Sequence, residues 1–236
     1  MQALVAACKR RGHSPQIVTE FQTLASNNIL PTEKEIQECL FSCERAGDPA
    51  GAIFWFHRHN ECFKRRHSHF HAPVSSFACV VQAFAKRRRC TPKDGDDLQY
   101  AQGWLSQMEN HRLKPDAQTY NLVLNGFLKS NRRQEAEHFF SRMEKDVVGY
   151  SLMIEYWLRQ NEEQRATCLL ENMIEQKLKP NVRTFSSFLH HAARNGDGFA
   201  ADSWFELMKE YDVIPNLAAF NSLLSAHARS LSSEAE

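Results

Sequence analysis

An all-α fold, a right-handed superhelical solenoid of helix-turn-helix hairpins, is what this 236-residue sequence predicts, on three observations. Apolar residues recur at three- and four-residue steps, the spacing that places them on one face of a helix. A Pro followed by Asp or Asn returns at Pro115-Asp116, Pro180-Asn181 and Pro215-Asn216, the last two 35 residues apart and the first two 65 apart. No segment alternates apolar and polar residues as a half-buried strand would. A fixed period of this size marks an array in which each helical pair buries its apolar face against its neighbours.

The frame divides the chain into units 1–32, 33–73, 74–116, 117–146, 147–181 and 182–216, with a half unit over 217–236. The first begins inside a helix and turns at Gly12. The second opens at Ile36-Gln37, turns at Ala46-Gly47, has Ala52 and Phe56 in its second helix, and carries a long tail from Asn60 to Pro73. The third opens at Phe77-Ala78 and continues through Ala101, Met108 and Pro115; its surplus length fits an expanded turn from Arg87 to Asp97, around Pro92 and Gly95. The fourth is short and runs from Thr119-Tyr120-Asn121 through Ala136, Phe140 and Met143 to Asp146. In the fifth, Tyr150, Met153, Ile154, Trp157 and Leu158 share one helical face, Asn161-Glu162-Glu163 makes the turn, and Ala166, Leu169, Leu170, Met173 and Ile174 line the second helix. Pro180 stops it from continuing. The sixth repeats this with Phe185, Phe188 and Leu189, then Ala201, Trp204, Phe205 and Met208. One helix from Phe220 to Ser230 closes the sequence. The small Ala of each second helix is expected where the two helices of a hairpin approach most closely.

Composition narrows the classes of function. The formal charge of +1 neither demands nor excludes a polyanionic partner, so the placement of charge matters more than its sum. Seven cysteines, odd in number and without paired spacing, point to reduced thiols and a reducing compartment. No run of eighteen apolar residues exists, so no membrane partner is expected. The apolar start, Met1 to Cys8, precedes Lys9-Arg10-Arg11, the reverse of a secretory signal. No transit peptide is visible before the first helix, which implies a cytosolic protein or a partial sequence.

Within the units an aromatic stands at the fourth place, Ala at the twentieth, Met at the twenty-seventh, Pro at the thirty-fourth and Asp or Asn at the thirty-fifth. In this order the sequence resembles the pentatricopeptide repeat family, closely from Ala117 to Asn216 and in part elsewhere. Tetratricopeptide repeats have nearly the same length, but their early Trp and paired Leu-Gly are missing here. The resemblance implies single-stranded RNA as partner, read at one nucleotide per repeat by two or three side chains.

Carried over by position, the base-reading residues are Ala78 with Asp116, Asn121 with Asp146, Ser151 with Asn181, Ser186 with Asn216, and Asn221 in the half unit. The resemblance implies that Asn with Asp favours uracil and Ser with Asn favours adenine, giving a core of U-A-A. Gln37 with Pro73 and Gln2 with Thr32 are not recognised pairs, and Ala78 has no hydrogen-bonding group. At the second place of each unit the resemblance implies an aliphatic clamp on the base; it holds Val148 as expected but Gln118, Arg183 and Ala218 elsewhere, and Val148, Arg183 and Gln118 are the candidate stacking residues. Apart from any family, successive first helices should present these short donors and acceptors along one inner face. The alternative for each is a helix cap.

Nine basic residues lie between Arg58 and Lys93 against the single acid Glu61, and Lys86, Arg87, Arg88 and Arg89 among them are candidate phosphate contacts. His67, His69 and His71 alternate near Cys62, but the polar loop favours plain surface histidines over a metal site. No phosphate-binding glycine loop, nucleophile elbow or dinucleotide fingerprint occurs, so the sequence predicts no catalytic residue, no cofactor and no small-molecule substrate. The expected function is sequence-selective RNA binding in processing, stabilisation or translation, by resemblance in a mitochondrion or chloroplast. A helical scaffold that binds a peptide or protein partner is the alternative.

Overall fold

The computed structural model describes residues 31–64, 74–86 and 96–234, and among them are eleven helices and no strand. Residues 1–30 of the first expected unit, most of the tail before Pro73, the alternating histidines and residues 87–95 lie outside the described residues. The chain forms two compact units, 1–131 and 132–236. The first holds α1 (Glu33–Ala46), α2 (Pro49–Lys64), α3 (Val74–Lys86), α4 (Asp97–Asn110) and α5 (Ala117–Lys129). The second holds α6 (Arg133–Arg142), α7 (Val147–Arg159), α8 (Glu163–Glu175), α9 (Val182–Asn195), α10 (Gly198–Glu210) and α11 (Leu217–Glu234). The last is longer at both ends than the Phe220–Ser230 helix expected, because Asn216 caps its start and no Gly or Pro follows to break it.

Helix starts follow from the Asp or Asn that closes each unit. Asp116, Asp146, Asn181 and Asn216 accept hydrogen bonds through Oδ1 from the amides of Thr119, Gly149, Thr184 and Ala219 at 2.8, 2.8, 3.1 and 2.9 Å. Each satisfies a donor that the first turn leaves open, a contribution of about 1 kcal/mol. Thr32 does the same for α1 in a capping box with Glu35.

Helix ends follow from the Met. After α4, α8 and α10 the chain turns through a residue of positive φ, Arg112, Lys177 and Asp212. The next amide, of Leu113, Leu178 or Val213, then donates back to the carbonyl of Met108, Met173 or Met208, at 3.0 Å each time. This is a Schellman closure, in which an apolar residue folds back over the last turn. The hairpin turns use the same bond: Asp48 to Cys43, Glu162 to Trp157 and Asp197 to Ala192, past Gly47, Asn161 and Gly196 in the left-handed region.

Within each unit, first helices pack on one another: α1 on α3 and α3 on α5 in the first, α7 on α9 and α9 on α11 in the second. Second helices α2, α4, α8 and α10 pack against the first helix of their own hairpin, and α2, α4 and α10 also against that of the next. Ala52, Ala101, Ala136, Ala166 and Ala201 are fully buried, as expected of close approach. In the first unit Phe56 meets Phe77 and Trp104 edge to face at 4.5 and 4.9 Å. In the second, Phe188 stacks on Trp204 at 4.1 Å, and Trp157 lies between the guanidinium groups of Arg133 and Arg165 at 4.5 and 4.8 Å.

Candidate functional site

Because first helices stack on first helices, each unit carries a groove that runs across three of them. In the first unit an open pocket of about 560 Å³ spans α1, α3 and α5, and Arg45, Ala78, Asp116 and Gln118 line it. In the second a pocket of about 370 Å³ spans α7, α9 and α11, lined by Glu155, Arg159, Arg183, Ser186, His191 and Arg194 among others. The structure therefore brings Ala78, Asp116 and Gln118 to one groove, and Arg183 and Ser186 to the other.

The second-place residues Gln118, Val148, Arg183 and Ala218 are all exposed in the first turn of their helices. Val148 remains 43% exposed despite its apolar side chain. The thirty-fifth-place residues are the N-caps described above, so Oδ1 of each is used by the helix. Asp116 and Asn216 are exposed and Asp146 and Asn181 half-buried. Asn221 is exposed on α11, while Asn121 is buried in α5.

The fifth-place serines differ from one another. Ser151 is fully buried, its Oγ 2.7 Å from the Val147 carbonyl oxygen and 2.8 Å from Thr184 Oγ1 on the next first helix. Thr184 Oγ1 in turn lies 3.3 Å from Asn181 Oδ1, so the expected partners Ser151 and Asn181 are joined through a threonine, beneath the surface. Ser186 stands in the same phase, but Ala219 occupies the place of Thr184. Its Oγ is buried with no hydrogen-bond partner while the residue lines the pocket.

Among the phosphate candidates, Lys86 ends α3 with Nζ 2.7 Å from Glu44 Oε1, an ion pair between neighbouring first helices. Arg87, Arg88 and Arg89 lie outside the described residues. Glu44 also accepts from Cys79 Sγ at 3.4 Å; burial first, then that carboxylate, pushes the Cys79 thiol well up, so it is a neutral thiol at physiological pH. Among the described residues no helix is long and apolar enough to cross a membrane, and no three His, Cys, Asp or Glu side chains are grouped as a metal site.

Sequence reading missed one set. Counted from the first residue of each unit, the thirteenth place is basic six times: Arg45, Lys86, Lys129, Arg159, Arg194 and Arg229. Five of these lie in the last turn of a first helix, where a cation also complements the helix dipole. Arg45, Arg159 and Arg194 line the grooves. Arg229 instead donates to the Ala193 carbonyl at 2.9 Å, closing the end of α9. The period itself was the signal; the run Lys86 to Arg89 drew attention to a local cluster instead.

A sequence profile of the Pentatricopeptide repeat domain family matches residues 143–190 and 168–229, and one of the PPR repeat matches 118–147. A pentatricopeptide repeat-containing protein of Arabidopsis thaliana is 29% identical over 95% of this chain and 42% of its own length. The mitochondrial pentatricopeptide repeat-containing protein 1 of Rattus norvegicus is 26% identical over 55% of the chain and 19% of its own length. A chloroplastic pentatricopeptide repeat-containing protein of Arabidopsis thaliana is 24% identical over 57% of the chain. The chain spans less than half the length of these curated relatives. Among solved structures, the pentatricopeptide repeat protein PPR10 in complex with an 18-nt psaJ RNA element aligns over 94% of this chain and 31% of its own, at a TM-score of 0.56 and 19% identity. A triple cysteine variant of it, likewise in complex with that RNA, gives 0.58 at 16% identity over 99% of the chain and 34% of its own. These likenesses establish the fold.

Proposed function

The chain belongs to the pentatricopeptide repeat family, with repeats matched over residues 118–229, and on that premise we propose that it binds single-stranded RNA along its first-helix grooves. The observation that carries the reading is the second-unit pocket. There Ser186 at the base-reading place, Arg183 at the stacking place and Arg159 and Arg194 from the helix ends meet around one cavity. A hydroxyl suits a base edge, a guanidinium plane stacks on a base or binds phosphate bidentately, and the spacing of successive first helices sets about one base per repeat. Solved relatives that hold RNA lend support.

The mechanism needs no catalytic group. A strand held extended in the groove is shielded from nucleases or kept from pairing, and the protein acts by occupying it. Relatives named mitochondrial and chloroplastic make an organelle the proposed site of action.

A titration of labelled single-stranded RNA at rising salt tests this. Log affinity should fall linearly with log salt, by about 0.7 per phosphate contacted. Absence of binding at 50 mM salt would sink the reading. Selection from a random RNA pool should enrich a U-A-A core, and Asn181→Asp should shift the middle base toward guanine. Since Oδ1 of Asp caps α9 as Oδ1 of Asn does, that exchange should leave the melting temperature unchanged.

A further inference from the structure

The second-unit pocket contains its own competitor for phosphate. Glu155 projects from the middle of α7 and divides its carboxylate between two guanidinium groups, Oε1 at 2.9 Å from Arg159 Nη2 and Oε2 at 2.8 Å from Arg183 Nη2. All three side chains line the pocket with Ser186. Arg194, the third arginine there, has no ion pair among the described residues. The first unit does something comparable from other positions, where Glu44 on α1 holds Lys86 of α3 at 2.7 Å beside Ala78.

The consequence follows from elementary electrostatics. A phosphate that approaches Arg159 or Arg183 meets charge already compensated, and must either displace the Glu155 carboxylate or sit beside it. Both outcomes cost free energy, and neither depends on which base is attached. Base contacts at Ser186 are unaffected, because a neutral hydroxyl does not compete for Glu155. A carboxylate in this place therefore weakens sequence-independent attraction to the backbone and leaves base recognition to decide which strand is held.

We infer that Glu155 is a specificity-determining residue: it holds Arg159 and Arg183 back from the RNA backbone and so suppresses binding of strands that offer phosphate without the right bases. The inference rests on the RNA-binding reading above and adds a role for an acid that no base-reading scheme uses.

The test compares the intact chain with Glu155→Gln, which keeps the size and an oxygen acceptor while removing the charge. A matched control is Glu206→Gln, whose carboxylate is exposed on α10 and pairs with Lys209 at 2.7 Å, away from the pocket. The probe is a labelled 14-nucleotide oligouridylate, measured by anisotropy at several salt concentrations, with circular dichroism to verify that each variant is folded. Glu155→Gln should bind this probe on the order of tenfold tighter at low salt, the size expected from removing one like charge near the phosphates. Its salt dependence should steepen by about 0.7 to 1.4 in slope, one or two more phosphates neutralised. Glu206→Gln should match the unaltered chain. Unaltered protein that binds RNA while Glu155→Gln binds no tighter, or more weakly, overturns the inference and leaves the RNA reading standing. An equal gain in Glu206→Gln overturns it too, since net charge would then be the cause. If neither the unaltered chain nor Glu155→Gln binds any single strand at 50 mM salt, the RNA reading fails, and the inference with it.

Discussion

Ser151 and Ser186 occupy the same place in successive repeats and meet different fates because of one residue on the next helix. Thr184 gives Ser151 a partner at 2.8 Å, whereas Ala219 gives Ser186 none. A serine at 219 should complete the missing pair. Ala219→Ser is expected to raise stability by about 0.5–1.5 kcal/mol in denaturant unfolding, the net worth of a buried hydrogen bond. The gain should vanish in a Ser186→Ala background. That dependence on a residue 33 positions away explains why the depth of Ser151 was not legible in sequence, where both serines look alike. His59 offers a second test at this scale. It is buried against Ser76 at the junction of α2 and α3, and burial lowers its pKa below the ordinary 6.5, against a smaller pull from Glu33. Below 6.5 the unfolded chain takes up the proton more readily than the folded one. Stability contributed by this group is therefore complete above that pH and is lost as pH falls toward the folded value. Unfolding midpoints should drop as pH falls below 6.5, and His59→Leu should flatten that part of the profile.

At the level of the element, the turns carry the repeat more strictly than the helices do. Met, a left-handed residue, an apolar residue, Pro and an acid or amide form one closed set of backbone bonds, and this is what made the helix boundaries readable from sequence. The left-handed place itself is less constrained, holding Arg, Lys or Asp in these turns and Gly or Asn in the hairpin turns. Gly196 is the strict case. At φ 68° a side chain is strained, and a Cβ there would stand 3.2 Å from Arg229 Cβ. Gly196→Ala should cost about 1–2 kcal/mol, read as a lowered urea midpoint with an unchanged slope. The basic thirteenth place was equally legible, since it lies in register six times. A run of adjacent charges is conspicuous, while a charge repeated at long period emerges only once the units are aligned.

For the whole molecule, balanced charge conceals uneven placement: a net +1 coexists with arginines gathered in a groove and acids that partly cancel them. Apolar surface is uneven too. Leu217, Phe220, Leu224 and Leu231 on α11 are between 47% and 76% exposed, a stripe at helical spacing. Phe185 and Leu189, the residues of α9 that correspond to Phe220 and Leu224, are fully buried. Such a stripe promotes association. Leu224→Lys should lower concentration-dependent self-association in sedimentation or size exclusion without reducing helicity.

Stacking of first helices on first helices has a kinetic consequence as well. Among the described helices, those that pack substantially on one another within a unit are one or two places apart in the chain. Loops to be closed are short, so little entropy must be surrendered before a contact forms, and growth can begin at any hairpin and spread to its neighbours. Refolding should accordingly be fast, and a lesion in one hairpin should melt its surroundings before it disturbs the far end of its unit.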